Sequence, residues 1–283
     1  MGQMIANLGV TGIIAVIVMG CSLVGMIICA KKQDVIAIAK PAAVGLMILV
    51  MVCAVVILMR TGVLGDQGTQ QIIQNEFTYT KASYYMLGNH IANKLPGTKI
   101  LLIVDRPRTN DTRTPLLLEA FKQGLAGKAT ITVTETPEIQ WPADRPQPKP
   151  EEMDMIPLQE MMTAASFNTL MTKYADCNLV VSFIGLPNDI AEMTIWSIWQ
   201  DGVVPEDKRP KMALINGAYH NLKDAIKSGI VSVVVAVNPT AKFTDEKAPA
   251  DIKAAFDKRY ILITPENVDQ IAEQYQNMFE AAK

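Results

Sequence analysis

The chain is poor in the residues from which most metal and disulfide sites are built. It has two histidines and four cysteines, and Cys21, Cys29 and Cys53 fall in apolar runs. Cys177 stands alone beyond residue 60, where it can close no internal disulfide and reads as a small core residue. No ligand spacing for a metal exists, and no cofactor is expected. Also missing are the Gly-rich strand-to-helix turn of dinucleotide folds, a phosphate loop ending in Gly-Lys-Ser/Thr, and the Gly-flanked nucleophile elbow of serine hydrolases. Positive charge is not in excess either. Residues 61–283 carry 22 basic and 27 acidic side chains, a net charge of −5, which suits nucleic acid poorly as a partner.

What is abundant is hydrophobic sequence, 49% of the chain, and its surplus sits at the front. Ile5 to Ala30 is apolar except for Asn7, Thr11 and Ser22, and Pro41 to Met59 holds no ionisable residue before Arg60. Each run reaches the roughly 20 residues needed to cross a hydrocarbon core. Residues 1–60 are therefore expected to form a two-helix membrane anchor. A cleaved leader would want a basic segment ahead of the first run, and Met1 to Met4 has none. The loop between the runs carries Lys31, Lys32 and Lys40 against Asp34, which places it in the cytoplasm and the rest of the chain outside.

Residues 61–76 are Gly- and Gln-rich and read as a linker. From residue 77 to 283 helical and strand patterns alternate. A helix is expected from Phe77 to Leu95, ended by Pro96-Gly97, then the aliphatic strand Lys99 to Asp105 and a helix opened by Thr114-Pro115 and closed at Gly127. The strand Ala129 to Thr134 leads into a proline-rich excursion, Pro137 to Pro157, unsuited to helix or central strand. Beyond it come helices at Pro157–Tyr174, Asn188–Gln200 and His220–Lys227, interleaved with strands at Leu179–Ile184, Met212–Ile215 and Val231–Val235. The strand Tyr260–Ile263 and a helix from Glu266 close the chain. Continuous aliphatic strands separated by helices give a doubly wound, mostly parallel α/β sheet.

In such sheets ligands bind beyond the carboxyl ends of the strands. The loops there are polar: Asp105 to Asp111, Gly185 to Asp189, Asn216-Gly217 and Asn238 to Thr240. Candidate ligand-binding residues are Asp105, Arg108, Asn188, Asp189, Asn216 and Asn238. The same residue types also serve simply as turn and N-cap formers. Arg106 and Arg108 beside a helix start favour an anion. Asp105 with Asp189 is the one carboxylate pair placed at the crevice, yet no catalytic residue is assigned. His90 and His220 lie on different helices and read as surface or capping groups. Trp196 and Trp199, three apart, read as core packing.

The stretch LGNHIANKLPGTKILLIVDRPRTNDTRTPLLLEAFKQGL resembles the opening of the C-terminal lobe of type I periplasmic sugar-binding proteins and lactose-repressor effector domains, with Arg113 and Phe121-Lys122 in register. LVVSFIGLPND after Tyr174-Ala175-Asp176, LINGAYHNLKDAIKSGIVSVVVAVNP, and YILITPENVD are similar to later parts of the same lobe, in the same order. Two departures weaken a sugar site. Asn216 stands where the family has Asp, and Val237-Asn238-Pro239 where it has Gln-Asp-Pro. The family closes two lobes on its ligand, whereas one lobe is expected here, behind two spans. The resemblance implies a bacterial inner-membrane protein with its lobe on the periplasmic side, near a transporter. It further implies a sugar or small anion as ligand, and a protein partner or second copy completing the half-crevice. The alternatives are an assembly subunit that contacts partners through Pro137–Pro157 and binds no ligand, and an enzyme on the same fold.

Overall fold

The structure, a computed structural model, describes residues 9–32, 38–60, 67–106, 111–139, 149, 156, 158–201, 203–215, 219–244, 246–276 and 278–280. The chain forms two compact units that divide between Asn75 and Glu76.

In the first unit, α1 (Gly9–Lys32) and α2 (Ala39–Arg60) pack against each other. Small residues make the approach close. A Cβ on Gly25 would lie 2.9 Å from Leu46 Cδ1. Ala15, Ser22 and Cys53 are buried, and the Ser22 hydroxyl is satisfied by the Val18 carbonyl at 2.8 Å. Gly20, by contrast, faces open space. The outer faces, including Ile17, Val24, Ile27, Ile48 and Val52, are exposed and apolar. Both helices are long and apolar enough to cross a membrane, over Ile14–Lys32 and Ala39–Leu58.

The second unit is built on a six-stranded sheet. Its strands are β1 (Lys99–Ile103), β2 (Thr130–Glu135), β3 (Leu179–Ser182), β4 (Lys211–Ile215), β5 (Val231–Val237) and β6 (Tyr260–Ile263), in the order β2-β1-β3-β4-β5-β6. All neighbours are parallel except β5 and β6. The central strands are aliphatic throughout because both their faces are covered. On one face Ile100, Leu102, Val181 and Val233 meet α3 (Gln67–Lys94), α4 (Arg113–Leu125) and α9 (Ile252–Arg259). On the other, Leu101, Val180, Leu214 and Val234 meet α6 (Ala164–Lys173), α7 (Ile195–Gln200), α8 (Lys223–Lys227) and α10 (Val268–Gln274). The short α5 (Leu158–Met161) precedes α6. The edge strand β2 alternates exposed and half-buried residues.

Several elements depart from the sequence pattern. Helix α3 starts at Gln67, not near Phe77, so it takes in residues expected in the linker. The helix expected from Pro157 to Tyr174 is broken at Thr163, which caps α6 reciprocally with Ser166. The helix expected from Asn188 shrinks to a 3₁₀ turn, Ile190–Glu192, followed by the six-residue α7. Helix α9 was not expected; its end lies beside the carboxyl end of β5, so the chain enters β6 from there and β6 runs antiparallel. Most of the proline-rich excursion lies outside the described residues.

Helices α3 and α4 touch backbone to backbone through a glycine pair. A Cβ on Gly88 would lie 2.3 Å from the Phe121 carbonyl oxygen, and one on Gly124 would lie 2.1 Å from that of Tyr85. Gly124→Ala must push the helices apart and is expected to cost about 3 kcal/mol. Denaturant unfolding followed by tryptophan fluorescence, all of which originates in the second unit, reads this directly; an unchanged midpoint would mean that the contact is looser than described.

Candidate functional site at the carboxyl edge of the sheet

The strand order creates a switch point. The chain leaves β1 through α4 on one face to reach β2, and leaves β3 through α7 on the opposite face to reach β4. The loops after β1 and β3 therefore run to opposite faces, and a crevice between the carboxyl ends of these two neighbours is what an open α/β sheet is expected to have there. Asp105 follows β1, and Asn188 and Asp189 follow β3, so the structure brings these three candidates to adjacent loops. Asn238 follows β5, two strands farther along. Arg108 and Asn216 lie outside the described residues.

The loop after β1 is held by β2 and by its own aspartate. Val104 N–H donates to the Glu135 carbonyl at 3.0 Å, and the Asp105 carboxylate accepts the Arg106 N–H at 2.8 Å. Farther along, the Asp111 carboxylate accepts the N–H groups of Arg113 and Thr114 and so caps α4, the task expected of Thr114. The Arg113 guanidinium lies 5.9 Å from the centre of the Phe77 ring.

After β3 the turn is fixed from within. The buried Ser182 hydroxyl donates to the Gly185 carbonyl at 2.5 Å, and Gly185 has φ of +81°, a conformation that favours glycine. Leu186 and Pro187 are buried, which presents Asn188 to solvent. Asn188 makes no side-chain hydrogen bond to the described residues. Asp189 is different. Its carboxylate accepts the Ala164 N–H at 2.8 Å, so it supports the start of α6 from 25 residues away in sequence. The Asn238 carboxamide oxygen accepts the Thr240 N–H and hydroxyl at 3.0 and 2.8 Å, an Asx-type turn.

Asn238 also borders a polar hollow of about 350 Å³ that Tyr79, Thr240, Lys242, Asp257 and Lys258 help to line. Beside it lies a residue that no sequence pattern singles out. The Arg259 side chain is 3% exposed, donates from Nη2 to Glu76 at 2.8 Å, and is sandwiched between the rings of Tyr79 at 4.6 Å and Phe243 at 4.1 Å. Its Nε and Nη1 have no hydrogen-bond partner among the described residues. Desolvating a guanidinium in this way is tolerable because two aromatic faces and one carboxylate surround it. The arginine thereby fastens the start of α3 in this unit to the β5–β6 edge.

The histidines contribute nothing to the crevice. His90 is half-buried on α3, and burial lowers its pKa against the opposing influence of Glu266. His220 packs its ring 4.9 Å from that of Tyr219. Trp196 and Trp199 pack against the core, as their spacing predicts. Among the described residues no cluster of ligands for a metal ion occurs.

No protein-family model and no curated protein sequence matches the chain. Among solved structures it is similar to an arabinose-binding protein from Geobacillus stearothermophilus, at 12% identity and a TM-score of 0.38, covering 66% of this chain and 62% of that one. It is similar also to a periplasmic ribose ABC transporter protein from Conexibacter woesei, at 13% identity and a TM-score of 0.41, covering 68% and 60%. A third is the periplasmic binding component of the arabinose ABC transporter from Shewanella sp. ANA-3, at 14% identity and a TM-score of 0.43, covering 70% and 61%. The chain thus spans a little over 60% of the length of the structures that it matches. At these scores the fold assignment rests on the sheet itself, a mixed, mostly parallel α/β sheet covered on both faces.

At the carboxyl end of β2, the Glu135 carboxylate accepts the Tyr174 hydroxyl and pairs with Lys173 at 3.3 Å. The tyrosine bond is the largest influence and, with the lysine adding to it, holds the Glu135 carboxyl below its ordinary pKa against the upward effect of burial. A depressed carboxylate stabilises the fold at neutral pH, and that contribution fades as pH falls through the lowered value. Tyr174→Phe is expected to raise the Glu135 pKa by more than Lys173→Gln does, as read by NMR titration; the reverse order would contradict this assignment.

Proposed function

We propose that the protein is a membrane-anchored, outward-facing binding or scaffold subunit of a membrane complex. The carboxyl edge of its sheet forms one wall of a ligand crevice, and a partner protein or second copy supplies the wall that faces it. The observation that carries this reading is the switch point between β1 and β3, which presents Asp105 and the exposed Asn188 on neighbouring loops. A lobe of this kind needs a second wall to exclude water from a small ligand.

The anchor follows from α1 and α2. A helix pair whose outward residues are Ile17, Val24, Ile27, Ile48 and Val52 exposes a continuous apolar surface that water disfavours and lipid accepts. Lys31 and Lys32 at the end of α1 suit a headgroup region. With the basic loop in the cytoplasm, the second unit lies in the periplasm of a bacterial inner-membrane protein. A transport-associated role agrees with the resemblance read from the sequence, and among the described residues no feature of the loops calls for catalysis. A second reading, an assembly subunit without ligand, is favoured by one observation: the Asp189 and Asn238 oxygens are already engaged within the fold.

Equilibrium binding to the detergent-solubilised native complex separates the two readings. The panel includes arabinose and ribose, after the similar structures, and inorganic phosphate. The Asn188→Ala, Asn216→Ala double variant is expected to weaken binding of the recognised ligand at least about tenfold, as loss of two polar contacts does. Wild-type affinity in that variant, or no binding by the wild type, contradicts the ligand-binding reading.

A further inference from the structure

At the end of the sheet opposite the crevice, a second hollow of about 300 Å³ opens between α6 and α7. Leu101 of β1 and Val180 of β3 form its floor, and Met171, Cys177, Ile198 and Val204 its walls. Protein interiors seldom leave voids larger than a water molecule, so a hollow of this size needs a cause. The cause is the brevity of α7. Six residues cannot cover the face between α6 and β4, and the loop from Asp201 to Pro210 spans what remains.

Hydrogen bonds keep the rim in shape. On one side the Trp199 indole N–H donates to the Pro210 carbonyl at 2.9 Å, and Arg209 Nε donates to the Val204 carbonyl at 2.8 Å. The Arg209 guanidinium lies over the Trp199 ring at 5.4 Å. On the other side Asn168 accepts the Thr194 N–H and hydroxyl at 2.8 and 3.0 Å and donates to the Glu192 carbonyl at 3.1 Å. Both banks of the hollow are thus braced by side chain to backbone bonds that do nothing to fill it. A preformed, mostly apolar hollow with few polar groups at its mouth is what a small-molecule site consists of.

We infer that this hollow is a binding site for a small apolar carboxylate, with an aryl or branched alkyl group against Leu101, Val180 and Ile198 and its carboxylate at the Lys208 ammonium on the rim. The apolar walls set the body of the ligand, and the cation selects an anionic head over a neutral one. This site shares no residue with the carboxyl-edge crevice, so the two readings stand or fall separately.

Phenylacetate is a suitable probe. Equilibrium dialysis of the full chain in lipid nanodiscs, blanked against empty discs, is expected to show one saturable site per chain with a Kd of about 1 mM, typical of a ligand this small. Ile198→Trp and Val204→Trp, on separate elements, each fill the hollow and are expected to abolish that binding. Lys208→Gln, on the exposed rim, should weaken phenylacetate about fivefold while leaving benzyl alcohol unaffected. Non-saturable uptake, or equal binding by the wild type and both tryptophan variants, overturns the proposal. Should the tryptophan variants unfold, an unchanged preference for phenylacetate over benzyl alcohol in Lys208→Gln overturns the assignment of the carboxylate.

Discussion

A parallel sheet cannot leave either face to water, because its strands are joined only by crossovers and are apolar on both sides. That constraint organises the second unit. Ile100 and Leu102 point to one layer of helices and Leu101 and Ile103 to the other, so one five-residue strand commits the chain to two cores. The helices must then cover both faces, α3 and α4 on one and α6, α7 and α8 on the other, and the winding changes face between β1 and β3. The Gly88–Gly124 contact serves the same requirement by letting α3 and α4 share one face at backbone distance.

Much of this is legible in the sequence, for a physical reason. Strands buried on both faces are aliphatic runs, and ILLI, LVVS and VSVVVAV declare themselves locally. What escapes is whatever depends on distant partners. Helix α9 buries Ala255, Phe256 and Arg259 while its other residues are largely polar, so it carries little periodic signal, and the direction of β6 depends on it. The start of α3, rich in Gln, has the composition of a linker and the structure of a helix.

The candidate site follows the same division. Strand order places Asp105 and Asn188 on neighbouring loops, and their position after aliphatic strands is legible in the sequence. The capping of α6 by Asp189 was beyond that reading, because its partner, Ala164, lies in a separate helix and the polar loop residue looks the same whether it serves ligand or fold. Arg259 was invisible for a like reason. In the string Asp-Lys-Arg-Tyr nothing tells a solvated arginine from one clasped between Tyr79 and Phe243.

The central claim is that one wall of a crevice sits on a membrane anchor and needs another polypeptide to complete it. Gentle extraction of the intact protein from its native membrane, followed by mass measurement of what emerges with it, tests this most directly. The account predicts a defined partner or a fixed number of copies, lost when the loops after β1 and β3 are altered. A lone monomer, unchanged by lipid or detergent, would contradict it.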